Sequence, residues 1–272
     1  MHPIVLNETQ DLEVLNKYKD RLKNINKDKR NYILMKRDFF FKFLLPTKEI
    51  QNVCMDEEAS YSVTEAQLAE QVSEIIYQSY NNINTITDAT ACVGGNTISF
   101  MFHFNQVNSI EFDETKAKYL YHNVKLVSDF YKHKKMKLVS DFYKHKKIGK
   151  VLVYHGDSSN EILNKQDAVF FDPPWGGPEY KKNDDNTLHL FLSGRDIEEI
   201  CAKYAQELTK LIALKVPYNF AFTSFERAMP NNFTITYHDL GEDKSQKKWR
   251  PKFVLIICKI KHKFPNKPLC VC

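Results

Sequence analysis

The stretch Asp172-Pro173-Pro174-Trp175-Gly176-Gly177-Pro178 carries the most specific chemistry in the sequence. It follows Ala168-Val-Phe-Phe, an apolar run that reads as a strand, and two prolines stiffen the exit. Neither proline has an N–H, so the carbonyls of Asp172 and Pro173 can face outward as acceptors. An indole follows at once. A planar amine resting against Trp175 would find a carboxylate and a carbonyl for its two hydrogens. Asp172, Pro173 and Pro174 are therefore the candidate catalytic residues, acting by orienting a nucleophilic nitrogen and polarising its N–H bonds. The alternative is a proline-rich turn with a core tryptophan.

Glycine is scarce: eight residues in 272, about 3% against a usual ~7%. Four of the eight form two doublets, Gly94-Gly95 and Gly176-Gly177. The first follows a strand candidate ending at Asp88 and opens a helix, where a tight turn lets backbone approach a ligand. It is not G-x-G-x-x-G, so a dinucleotide phosphate site is a weak reading. The second strand candidate ends in Ile110-Glu111-Phe112-Asp113, and an acid there can bind both hydroxyls of a ribose. Asp157, after the third, can accept from an adenine amine. Adenosine contacts without a phosphate loop fit S-adenosylmethionine, which would set the amine at Asp172 in line with a methyl sulfonium.

These residues need a scaffold that brings strand ends together. Strand-like runs at Ile83–Asp88, Val107–Phe112, Val151–His155, Ala168–Asp172 and Leu211–Val216 are separated by helix-like runs at Asn96–Phe104, Glu114–Tyr131 and Asp196–Lys210. Such alternation implies right-handed βαβ units and an α/β fold with a mainly parallel sheet. Phe233–His238 and Lys252–Ile260, joined by the polar loop Gly241–Arg250, read as an antiparallel C-terminal hairpin closing the sheet. A helix is expected over Thr64–Tyr80, with Thr64 as its cap and Leu68, Val72, Ile75 and Ile76 on one face. Residues 8–50 have helical spacing, and residues 1–60 are expected to form a small helical N-terminal lobe ahead of a catalytic domain over 61–265. Trp249 is read as a loop anchor in preference to a nucleotide-stacking residue.

The net charge of +5 is uneven. Residues 17–42 and 125–150 each carry +7, leaving the remainder at −9. Two basic blocks on an acidic body suit a polyanionic partner, with solvated helix faces as the competing explanation. The second block holds a tandem duplication, Lys125–Lys135 recurring as Lys137–Lys147. It reads as a local insertion in which one copy packs and the other projects. The longest apolar run, Phe253–Cys258, is far short of the ~20 residues of a membrane helix. Six irregularly spaced cysteines and nine scattered histidines show no metal pattern. The thiols are expected reduced, the protein intracellular and monomeric.

Taken together, three blocks resemble the trimethylguanosine synthases, the guanine-N2 methyltransferases of RNA caps. They are Asp56-x-Glu58-x-x-Tyr61-Ser62-Val63-Thr64, Asp88-Ala89 with Val93-Gly94-Gly95-Asn96-Thr97-Ile98, and Pro173-Pro174-Trp175-Gly176-Gly177-Pro178-Glu179-Tyr180. The resemblance spans roughly residues 50–185, with weaker likeness to about residue 260. It implies a class I methyltransferase (Rossmann-like) fold with a seven-stranded sheet, S-adenosylmethionine as donor, and capped RNA as substrate and partner. By position it implies that Ser62, Thr64, Asp88, Gly94, Asn96, Thr97, Glu111, Phe112 and Asp157 border or hold the donor, and that Trp175 stacks on the cationic 7-methylguanine. It also implies that the N-terminal lobe closes over the cap.

Three positions depart from the family pattern. Cys92 stands where glycine is usual, Glu111 where Asp is usual, and Asp172 where many members have Ser. The last leaves an adenine-N6 methyltransferase of RNA or DNA as one alternative. A catalytically silent methyltransferase fold serving as an RNA-binding subunit is another.

Overall fold

The computed structural model describes residues 1–133, 147–160, 163, 166–182, 185–207, 209–243 and 249–261. The N-terminal segment forms α1 (Glu8–Asn24), α2 (Lys27–Phe41), and the single turns α3 (Thr47–Ile50) and α4 (Ala59–Ser62). Asn7 and Gln10 build a reciprocal cap on α1, and Asn26 accepts from Asp28 N to start α2. Val14, Tyr18 and Leu22, spaced by four, bury one face of α1; Ile33, Arg37 and Phe41 do so on α2. These apolar side chains join one core with residues of the sheet. Arg37 is also buried, donating to Asp38 and to the carbonyl of Gln51, so the first basic block is not wholly a solvated face.

Then follow α5 (Ala66–Ser79), β1 (Thr85–Asp88), α6 (Gly95–Phe100), β2 (Gln106–Glu111), α7 (Glu114–His133), β3 (Lys150–His155) and β4 (Ala168–Phe171). After a 3-10 turn at Gly177–Lys182 come the small hairpin β5 (Phe191–Leu192) and β6 (Arg195–Asp196), α8 (Ile197–Glu207), β7 (Leu211–Val216), α9 (Phe222–Ala228), β8 (Phe233–Leu240) and β9 (Phe253–Ile260). The main sheet has seven strands in the order β3-β2-β1-β4-β7-β9-β8. The first five run parallel; β9 is antiparallel to both β7 and β8. The hairpin therefore enters the sheet with its second strand inside and its first at the edge.

Strand order reverses between β1 and β4. In open α/β sheets a ligand binds in the crevice at the carboxyl ends of strands at such a switch point. β4 and β7 are buried along their whole lengths, as strands covered on both faces must be. β7 carries one charge, Lys215, in Leu-Ile-Ala-Leu-Lys-Val.

Two expectations need correction. Thr64 does not cap the following helix: α5 begins at Ala66, its N-cap Glu65 makes no side-chain cap bond, and the Thr64 hydroxyl is used elsewhere. Trp249 does not anchor its loop; it is 63% exposed. Of the duplication, residues 125–133 of the first copy form the end of α7 with Val127 and Tyr131 buried, whereas 134–146 lie outside the described residues.

Candidate active site

At the end of β1, Asp88 is fully buried. Its Oδ2 accepts from Thr97 Oγ1 at 2.7 Å and its Oδ1 from Thr90 N at 3.4 Å. Burial pushes its carboxyl up to about 7, against the pull of those two hydrogen bonds. Between them the chain turns through Cys92 at φ 49° and Gly94 at φ 105°. Cys92 thus adopts, with a side chain, the left-handed backbone that glycine takes more easily. The turn is tied to β2: Cys92 N donates to Glu111 Oε2 at 2.8 Å, and Asp113 N to Glu111 Oε1 at 2.9 Å. Burial raises the Glu111 carboxyl as well.

Gly95 has an ordinary φ, and its need is space. A Cβ there would lie 2.9 Å from the carbonyl oxygen of Thr64 and 3.0 Å from Val63 Cγ1. The second glycine of the doublet therefore admits the 63–64 segment against the loop. Asn96 Nδ2 donates to Thr64 Oγ1 at 3.1 Å, while Asn96 Oδ1 is buried without a hydrogen-bond partner among the described residues.

Across the switch point β4 ends, and Asp172 N donates to Thr90 Oγ1 at 2.6 Å, locking the Asp-Pro-Pro turn to the loop after β1. β4 and β7 pair Phe171 with Leu214, and the next step of that register sets Asp172 level with Lys215. Lys215 Nζ donates to Asp172 Oδ2 at 2.7 Å and to Thr64 Oγ1 at 2.8 Å. It also lies 5.4 Å from the centroid of the Trp175 ring and 4.9 Å from that of Phe253. Its side chain is 8% exposed and that of Asp172 13%. Burial raises the Asp172 carboxyl, and the lysine opposes that shift.

Trp175 is partly buried against the cores on both sides of the sheet. Tyr180 meets it edge to face at 5.2 Å and 84°, and the Trp175 Nε1 is buried without a hydrogen-bond partner among the described residues. Pro173 is buried and Pro174 exposed.

The remaining predicted residues stand apart from this cluster or are already engaged. Ser62 is exposed on α4 and donates to the carbonyl of Glu58. Phe112, 68% exposed, lies at the rim. Asp157 accepts from Ser159 N, Ser193 Oγ and Asn160 Nδ2 at 2.9–3.0 Å. Partial burial pushes its carboxyl up, but these bonds outweigh it and hold the carboxyl below its usual range. Three of its roughly four acceptor positions are filled. Sequence reasoning missed Lys215, although a lone lysine in an apolar strand was its signal. It also missed Thr90, whose hydroxyl and N–H serve both halves of the site.

The strand order and the switch-point site define a class I methyltransferase fold. Two solved structures share it. One, described as a methyltransferase, from Porphyromonas gingivalis W83, has TM-score 0.56 and 14% identity over 95% of this chain and 60% of that one. The other, described as a class I S-adenosylmethionine-dependent methyltransferase, from Listeria monocytogenes, has TM-score 0.51 and 14% identity over 94% and 88%.

The chain belongs to the RNA cap guanine-N2 methyltransferase family, whose model matches residues 83–244. It is 26% identical over 179 residues to trimethylguanosine synthase of Saccharomyces cerevisiae, covering 65% of this chain and 52% of that protein. It is 32% identical over 160 residues to an uncharacterised protein of Acanthamoeba polyphaga mimivirus, covering 57% and 54%. The chain thus spans about half the length of these curated relatives.

Proposed function

We propose that this protein transfers a methyl group from S-adenosylmethionine to the exocyclic N2 of a 7-methylguanosine RNA cap. The observation that carries the reading is the lock between Asp172 and Thr90. It fixes an acceptor-rich Asp-Pro-Pro-Trp turn beside the buried Asp88 across the switch point.

The residues after β1 and β2 fit the donor. Asn96 Oδ1 is a buried acceptor in need of a donor, which the donor's ammonium supplies. Asp88 offers buried negative charge to the same end. Gly94, Asn96 and Thr97 shape the loop, and Thr64 closes it from the N-terminal side. Glu111 keeps two acceptor positions beyond its two backbone bonds for ribose hydroxyls. Phe112 offers an exposed ring to the adenine, and Asp157 one acceptor position to its amine. Bound there, the donor supplies an electrophilic methyl group.

This chain's own part is placement. The carbonyls of Asp172 and Pro173 hold the guanine amine by its hydrogens and aim the nitrogen lone pair. Lys215 donates to one oxygen of Asp172 and favours its charged form, which keeps the group a hydrogen-bond acceptor. Trp175 provides an aromatic face for the positively charged base, and the 1–60 lobe closes over it. The basic residues of α1 and α2 and of the duplicated segment hold the RNA backbone by its phosphates.

Neither alternative is favoured. The family matched is a guanine-N2 family, and the silent reading has no counterpart in a site whose acids and loop are all in place. The assay offers labelled donor with a methylated cap dinucleotide or with uncapped adenosine-containing RNA. Label is expected on the dinucleotide; label on the uncapped RNA alone would reverse the reading.

A further inference from the structure

We infer that His189, Asp196 and Glu198 form a divalent transition-metal site at the foot of the β5–β6 hairpin. Each residue offers one ligand atom, and the three atoms lie within 4.8 Å of one another. His189 Nδ1 is 3.0 Å from Glu198 Oε1. Glu198 is 4% exposed, and its Oε2 is buried with no hydrogen-bond partner among the described residues.

That oxygen carries the argument. A buried carboxylate oxygen without a donor is costly. Among the described residues no lysine or arginine pairs with either acid; the contact of Glu198 with a titratable group is the hydrogen bond to the His189 imidazole. Two carboxylates leave negative charge that a neutral imidazole does not balance and that the first turn of α8, where Glu198 sits, offsets only in part. A dication would neutralise both acids and occupy the unused oxygen.

One imidazole nitrogen with two carboxylate oxygens suits zinc or manganese better than calcium or magnesium, which prefer oxygen alone. The imidazole, 47% exposed, leaves an entry path from solvent. The hairpin these residues anchor reaches the Asp157 turn, since Ser193 Oγ donates to Asp157 and Arg195 Nη1 to the carbonyl of Ser159. A metal there would brace that turn without touching the reacting groups.

The test is calorimetric titration of chelator-stripped, full-length protein with zinc chloride, with magnesium chloride as the oxygen-preferring control. One zinc per chain is expected, with a higher melting temperature on binding, and no comparable magnesium uptake. His189→Ala and, separately, the near-isosteric Glu198→Gln should each weaken that zinc at least about tenfold. Asp196→Asn, at a less buried position, guards against a folding defect and should do the same. No zinc uptake by the wild-type chain, or uptake unchanged in all three variants, overturns the inference; the latter result would place the metal on the cysteines or other histidines.

Discussion

The ammonium of Lys215 and the carboxylate of Asp172 meet at 2.7 Å, both largely withdrawn from water, at the junction of β4 and β7. Neither charge is tolerable there alone. Lys215→Met should destabilise the protein by about 3 kcal/mol by stranding the carboxylate, as breaking buried pairs generally does. Asp172→Ser strands the ammonium in the same way. The double variant Asp172→Ser/Lys215→Met should recover most of the loss. Urea unfolding of the four proteins gives the coupling energy; a value below about 0.5 kcal/mol would mean the two groups are energetically independent.

Asp88 sets a second expectation. Its folded carboxyl is raised to about 7 by burial, above its unfolded value. An acid so shifted contributes stability fully present below the unfolded value near pH 4 and lost as pH rises through about 7. Asp88→Asn keeps an acceptor for Thr97 but carries no charge. It should therefore be more stable than wild type at pH 8, by at most about 4 kcal/mol, and about equal at pH 4, while losing donor binding. Melting curves at the two pH values and donor calorimetry check both halves.

How far this arrangement was legible depends on the kind of signal. Strand ends announce themselves: short strand-like runs closing on Asp88, Glu111 and Asp172, of which only Ala168–Phe171 is wholly apolar, mark three of the site's elements within a residue or two. The Gly94-Gly95 doublet was readable as a turn, but its two members do different jobs, and only the placed Thr64 carbonyl shows that Gly95 is about clearance. Lys215 was passed over because its partners lie 43 and 151 residues away. Propensity suggested Thr64 as a helix cap for lack of any local sign that Asn96 and Lys215 would claim its hydroxyl. Long-range polar pairing leaves no periodic trace in a chain.

Gly95→Ala probes that clearance. Alanine suits a helix better than glycine by up to about 1 kcal/mol. Here its methyl would press on the backbone of Thr64 at 2.9 Å, which cannot yield as a side chain tip can. A net loss of about 1–3 kcal/mol is expected instead. Weaker donor binding should accompany it, because displacing Thr64 breaks its contacts with Asn96 and Lys215. Thermal melts and donor titration on one preparation test it; a stabilised variant with unchanged donor affinity would show that the 63–64 segment does not need to close on the loop.

Trp175 is the sharpest test of the cap reading, because the indole has two roles that must be separated. It is rooted in both cores, so Trp175→Ala should cost stability whatever its function. Lys215 lies over the ring at 5.4 Å, so the lysine and a stacked base must share its π-system. Stacking a cationic ring on indole contributes roughly 0.5–2 kcal/mol or more when desolvated. Trp175→Leu, which keeps apolar bulk and loses the π-face, should then bind donor normally, lose most preference for 7-methylated over unmethylated cap dinucleotide, and methylate the cap far more slowly. Trp175→Phe should fall between. If Leu and Phe variants discriminate the two caps as wild type does, the indole holds only the turn, and recognition of the methylated base lies elsewhere on the carboxyl edge of the sheet.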